Sequence, residues 1–220
     1  MIKRTRIKFC GFTRVADVAL AASLGVDAIG IIFAERSKRR VSLEQGQQLR
    51  AASPPMVTTV ALVMNPTSVQ IQQIVAVVRP SLLQFHGTES ESDCRAAGIP
   101  YLKALAMGED GADAVTAMAG YPSACGFVLD GHLAGEAGGA GECFDWSRWP
   151  QTAQQPIALA GGLTPSNVYA AVRQVRPFAV DVASGIEIAP GVKSAELMAQ
   201  FIAEVRRADV DNAHPHVSIR

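Results

Sequence analysis

The sequence predicts an α/β protein, an eight-stranded parallel (β/α)8 barrel in a single domain. Three observations carry that prediction. Short β-branched apolar runs alternate with helix-like segments from end to end. There are eight such runs, each followed by a helix or the remnant of one. The runs are apolar almost throughout, as parallel strands buried on both faces require.

The first strand is "RIKFC", stopped by Gly11. In "TRVADVALAASLG", Val15, Val18, Ala19 and Ala22 recur at helical spacing, with Thr13 placed to cap the helix and Gly25 to end it. "AIGIIF" is the second strand, "SLEQGQQLRAA" an indifferent helix and "VTTVALVM" the third strand. "PTSVQIQQIVAVVR" follows, with Pro66 at the helix start and Val69, Ile71, Ile74, Val77 and Val78 repeating behind it.

"LLQFHG" is the fourth strand, "ESDCRAAG" a short helix, "YLKALA" the fifth strand and "DGADAVTAMAG" a weak helix. "GFVLDG" is the sixth strand, and a glycine-rich loop runs on to Gly141. "PIALAGG" is the seventh; in "TPSNVYAAVRQV" Thr164 is placed to cap and Pro165 suits the first turn. "FAVDVAS" is the eighth strand and "SAELMAQFIAEVRR" the closing helix. The barrel domain is expected over residues 1–207. Residues 208–220 lack periodicity and are expected to form a disordered tail. A doubly wound open sheet is the competing architecture. It usually carries G-x-G-x-x-G after its first strand, and "CGFTRV" does not fit.

Composition narrows the function. The 220 residues are 49% apolar, enough for a substantial core, and 20 basic residues balance 20 acidic ones. No basic block of the nucleic-acid-binding kind is present, so the search tilts toward a small molecule. No apolar segment reaches the roughly 20 residues needed to span a bilayer, and "MIKRTRIKFCGF" does not read as a signal peptide. Cys10, Cys94, Cys125 and Cys143 are scattered, against a disulfide framework or structural zinc. A cytoplasmic protein is expected, monomer or homodimer, binding neither nucleic acid nor membrane.

In such a TIM barrel the chemistry sits where strands finish, because the loops there vary without harming the core. Cys10 ends the first strand, "FAERSKRR" follows the second, His86 ends the fourth and Asp130 the sixth. Gly161-Gly162 and Ser184-Gly185 follow the seventh and eighth. A glycine pair alone can simply make a tight turn. Two pairs at these adjacent strands favour a phosphate site, where backbone N–H groups approach an anion closely.

Strand alternation puts Lys8 on the face of Cys10. A buried ammonium needs a partner, and in a closed barrel Asp181 of the eighth strand is the obvious one. That pair would hold Lys8 beside Cys10 and favour its thiolate. Taken alone, a free cysteine is more often a small buried hydrophobe. Asp130 after "GFVL" has fewer bland explanations, since carboxylates rarely enter cores unpaired. An arginine of "SKRR" suits a bidentate clamp on a substrate carboxylate. His86 either orients substrate or bonds within the core. His132, His214 and His216 read as surface residues, and Trp146 and Trp149 as packing.

These residues together resemble the phosphoribosylanthranilate isomerase family of tryptophan biosynthesis. The resemblance rests on "KFCGFT", "SKR", "QFHG", "VLD", "GGAGECFDW", "LAGGLTPSNV" and "FAVDVASGIE", in that order from about Arg6 to Arg207. It implies an Amadori rearrangement of N-(5-phosphoribosyl)anthranilate, with Cys10 as general base and Asp130 as general acid. It places the carboxylate clamp on Arg39 and the phosphate on Gly161-Gly162 and Ser184-Gly185, with Asp181 as the strand-eight aspartate. No metal or organic cofactor is implied. Phe9 departs from the family's usual isoleucine and is expected on the outward, helix-packed face. The "GEAGGAGE" loop is expected to close over the site. Two alternatives stand beside this reading: a metal-dependent sugar-phosphate epimerase and a non-catalytic phosphosugar-binding barrel.

Overall fold

The structure is a computed structural model and describes residues 4–107, 114–131, 146–150 and 153–213. The eight apolar runs become β1 (Arg6–Cys10), β2 (Ala28–Ile32), β3 (Thr58–Val63), β4 (Leu82–Phe85), β5 (Tyr101–Ala106), β6 (Gly126–Asp130), β7 (Ile157–Leu159) and β8 (Ala179–Val182). They close into a barrel in chain order. Every pairing round the ring is parallel, including the seam between β1 and β8, where Lys8 lies opposite Asp181. The open doubly wound sheet is thereby excluded.

Helices α1 (Val15–Ser23), α2 (Leu43–Ala52), α3 (Ser68–Val78), α4 (Glu91–Ala96), α5 (Ala114–Ala119), α6 (Val168–Val175) and α7 (Ala195–Ala213) alternate with the strands. Strand periodicity divides the side chains between two cores. Outward residues such as Phe9, Ile29, Leu83, Phe85 and Phe127 join Leu49, Ile74, Val172 and Phe201 of the helices in the main core. Each such burial contributes roughly 1.5–3 kcal/mol. Phe9, as expected, faces out, edge-on to Phe201 of α7 with ring centroids 5.9 Å apart. Inside, Ala104, Val128 and Ala160 form one small cluster, and Cys10, Ile32 and Leu62 another. Cys10, Ile32 and Leu62 of the second cluster, with Ala160 of the first, border a hollow at the strand ends.

The structure changes several local expectations. Thr13 does not cap α1; its hydroxyl donates instead to the Gly191 carbonyl at 2.6 Å, and the N-cap is Arg14. Pro66 lies one residue before the cap of α3. Thr67 takes that position, and its hydroxyl and the Gln70 side chain form a capping box. Thr164 precedes a turn that begins at Pro165, and α6 starts only at Val168. Residues 208–213, expected to hang free, continue α7. Asp209 there is buried and accepts from the Thr5 backbone N–H at 2.9 Å and the Thr5 hydroxyl at 2.6 Å. That carboxylate supplies acceptors that the edge of β1 would otherwise lack, so the helix gains a reason to extend. A small antiparallel hairpin, β9 (Glu187–Ala189) and β10 (Val192–Lys193), follows β8 unannounced by the sequence. The "GEAGGAGE" loop, Cys143, His132, His214 and His216 lie outside the described residues.

Candidate active site

The hollow at the carboxyl ends of the strands is lined by Cys10, Arg39, His86, Asp130, Gly161, Gly162, Asp181 and Ser184, together with Gln84, Arg36 and Ser37. Sequence reasoning thus brought together residues from six different strand ends. Gly185 is the exception: it does not face the hollow but packs behind it. A Cβ at Gly185 would fall 1.9 Å from the Leu163 carbonyl oxygen, so the β8 loop lies directly on the β7 loop.

Cys10 and Asp130 end strands separated round the ring by β7 and β8. Cys10 is 5% exposed and sits against Gly30 of β2, where a Cβ would fall 2.5 Å from its sulfur. Only a residue without a side chain leaves room for the thiol here. Burial raises the Cys10 thiol above its ordinary value and Asp181 adds to the rise, while the ammonium groups of Lys8 and Lys193 pull the other way. The expected assistance from Lys8 is therefore present, but burial outweighs it. Lys8 donates to Asp181 at 2.7 Å inside the barrel. Burial opposes the Lys8 charge, yet Asp181 more than compensates and holds it above the usual lysine range. The other carboxylate oxygen of Asp181, Oδ1, is buried without a hydrogen-bond partner.

Asp130 is 7% exposed, and His86 reaches to 3.8 Å from its Oδ2 with Nε2. His86 therefore borders the hollow rather than the outer core. A Cβ at Gly161 would sit 2.9 Å from Asp130 Oδ1 and 2.4 Å from the Gly131 nitrogen. The β7 loop presses on the carboxylate, and positive φ at Gly161 and Gly162 lets it do so. The turns after β7 and β8 thus converge on one side of the hollow, beside the Asp130 carboxylate.

Arg39 is buried at 8% exposure, with its stem over Gly11: a Cβ there would meet Arg39 Cδ at 2.5 Å. Its guanidinium does not hang free as a loop arginine would. Nε donates to both Glu187 oxygens at 2.9 and 3.0 Å, and Nη2 donates to Oε2 at 2.8 Å. Lys193 donates to the same carboxylate at 2.7 Å, and also to the carbonyls of Cys10 at 2.5 Å and Ala183 at 3.1 Å. Sequence reasoning missed Glu187, Lys193 and Gln84. Glu187 closes the motif "FAVDVASGIE" just past a strand end, and those two signals were the ones available.

Among the described residues, no three His, Cys, Asp or Glu side chains are grouped so as to hold a metal ion. The metal-dependent epimerase reading needs such a group at the strand ends. No described helix is long and apolar enough to cross a membrane.

Comparison with known proteins gives a consistent result. The family described as N-(5'phosphoribosyl)anthranilate (PRA) isomerase matches residues 7–204. The N-(5'-phosphoribosyl)anthranilate isomerase of Stenotrophomonas maltophilia (strain R551-3) is 53% identical over 207 residues, covering 94% of this chain and 95% of the relative. Among solved structures, the phosphoribosyl anthranilate isomerase of Thermus thermophilus superposes with a TM-score of 0.80 at 32% identity, over 92% of this chain and 99% of that one. A second, solved in complex with reduced 1-(o-carboxyphenylamino)-1-deoxyribulose 5-phosphate, gives 0.77 at 30% identity over the same shares.

Proposed function

Since the chain belongs to the N-(5'-phosphoribosyl)anthranilate isomerase family of tryptophan biosynthesis, we propose that Cys10 and Asp130 are the base and acid of its Amadori rearrangement. The enzyme converts N-(5'-phosphoribosyl)anthranilate to 1-(2-carboxyphenylamino)-1-deoxyribulose 5-phosphate. The observation that carries the residue assignment is that a buried thiol and a buried carboxyl line one hollow, with the glycine turns after β7 and β8 beside it.

In this reading the phosphate rests on the backbone of Gly161, Gly162 and Ser184, where close approach without side chains is possible. Gly185 contributes by letting the two loops touch. The anthranilate ring points toward Arg39, which offers Nη1 to the carboxylate because its other edge is taken by Glu187. Asp130, as the acid, gives a proton to the furanose ring oxygen, the C1–O bond breaks, and the nitrogen lone pair completes an iminium. Cys10 as thiolate then removes the C2 proton. The C2–H electron pair moves into the C1–C2 bond and neutralises the nitrogen, leaving an enolamine that tautomerises to the ketone. The substrate's own nitrogen is the electron sink. His86 and Asp181 border the reacting carbons and orient its hydroxyls. Each proton handler contributes roughly 10²- to 10⁴-fold in rate. A phosphosugar occupant is supported by the relative solved with the reduced product analogue, and a cytoplasmic setting by the free thiols of Cys10, Cys94 and Cys125.

Cys10→Ser and Asp130→Asn test the assignment. Each is expected to lower kcat by two to four orders of magnitude, on the order of the general acid–base contribution, while the reduced product analogue still binds. Turnover close to wild type in either variant removes that residue from the mechanism.

A further inference from the structure

We propose that Glu187 is a positioning residue for substrate recognition, aiming Arg39 at the aromatic carboxylate and tying that aim to the strand end that carries Cys10. The inference rests on the Arg39 clamp of the preceding reading and goes beyond it to a residue that touches no substrate.

An arginine in a strand-end loop ordinarily samples many rotamers, and holding it costs side-chain entropy. Arg39 is spared that cost at the moment of binding. Glu187 takes Nε and Nη2 together, which fixes the plane of the guanidinium as well as its position. Gly11 below the stem leaves no room for a side chain that would lift it. What remains for an incoming carboxylate is the Nη1 edge, presented in one orientation.

Glu187 is itself held on several sides. It accepts from Lys193 Nζ at 2.7 Å and from the Gly191 backbone N–H at 3.2 Å. Burial disfavours its charge, but the Arg39 and Lys193 cations prevail and keep the carboxyl below the usual carboxylate range. The hairpin that carries these groups is anchored to the segment after β1. The Lys193 backbone N–H donates to Asp17 Oδ2 at 3.1 Å, and Thr13 donates to Gly191. Because Lys193 also holds the Cys10 and Ala183 carbonyls, one carboxylate links three parts of the site. These are the arginine, the strand end of the thiol, and the loop after β8.

A merely structural Glu187 would affect all ligands alike, and a positioning one would discriminate. The experiment measures calorimetric binding of two analogues: reduced 1-(o-carboxyphenylamino)-1-deoxyribulose 5-phosphate and its phenylamino counterpart without the carboxylate. Glu187→Gln is expected to weaken the carboxylated analogue roughly 10- to 100-fold, the worth of a charge-assisted contact, and to leave the other unchanged. Its KM should rise more than its kcat falls. Glu187→Asp, which keeps the charge on a shorter arm, should lie between, and serves alone if Glu187→Gln does not fold. Equal losses for both analogues, or none, overturn the proposal. Arg39→Ala is the control. If Arg39→Ala selectively loses the carboxylated analogue while the Glu187 variants do not, only the role of Glu187 is refuted. If Arg39→Ala shows no selectivity, the clamp itself is refuted and this proposal with it.

Discussion

Lys8 and Asp181 meet 2.7 Å apart across the seam where β1 and β8 close the barrel, with only 6% and 7% of their side-chain surfaces exposed. Two charges this deep are tolerable only together, since either alone would face a poorly polarisable interior. Asp181→Asn leaves the Lys8 ammonium without its counter-charge and is expected to cost about 3–5 kcal/mol. Urea unfolding measures this directly. An unchanged midpoint at the same slope would show that the pair stores no stability.

The same pair governs when Cys10 ionises. Burial favours the neutral thiol, so the folded-state value is raised, and Lys8 limits the rise. Ionisation of the sulfur is therefore displaced to higher pH than that of an ordinary thiol, and the proposed base works through the thiolate fraction that forms. Ultraviolet thiolate absorbance, taken as the difference between wild type and Cys10→Ser, should rise at higher pH than that of an unperturbed thiol. Lys8→Met should move it to still higher pH, because a lowering cation is lost while Asp181 remains. A downward move would mean that Lys8 is not the group acting on the sulfur.

Gly30 is expected to be as sensitive as the residues it supports. An added methyl at 2.5 Å from the Cys10 sulfur must push the thiol or the strand aside. Gly30→Ala should cost about 1–3 kcal/mol in overpacking. It should also lower kcat by around 100-fold, the scale of an ångström's misplacement. Gly30 lies on β2, which pairs with neither β7 nor β8, so binding of inorganic phosphate to the proposed turns there should differ little between variant and parent. A normal kcat would show that the sulfur has latitude in its position.

Glu187 gives a pH signature of its own. Its folded-state value is depressed by Arg39 and Lys193. Its contribution to stability is therefore complete above the unfolded carboxyl value of about 4.3, and is lost as pH falls through the lower folded value. Wild type should lose stability on acidification below about pH 5, and Glu187→Gln should lose less over the same interval. Parallel acid titrations of the two would refute this.

The barrel was legible because each strand is a short apolar run, and the site because several strand ends carry an unusual residue. Cys10, His86 and Asp130 stand out against "RIKF", "LLQF" and "GFVL", and all three border the hollow. Glu187 and Lys193 were not legible in the same way. They lie in "GIEIAPGVKS", where charged residues without periodicity ordinarily belong to water, and the partner Arg39 is 148 positions away in sequence. Caps failed for a related reason. Thr13 had the right type and place, but a tertiary acceptor at Gly191 won its hydroxyl. The last helix was ended too early because Asp209 looks like a solvent residue until Thr5 is seen beneath it.

Thr5, just before β1, and Asp209, late in α7, stand side by side, 204 positions apart along the chain yet within hydrogen-bond reach. A ring of eight strands closed in this way has no privileged starting strand. Joining the segments that carry Thr5 and Asp209 through a linker and cutting between two other strands would leave every strand pairing intact. The order in which the strands follow one another along the chain is thereby separable from the order in which they pair, and the cylinder depends on the second.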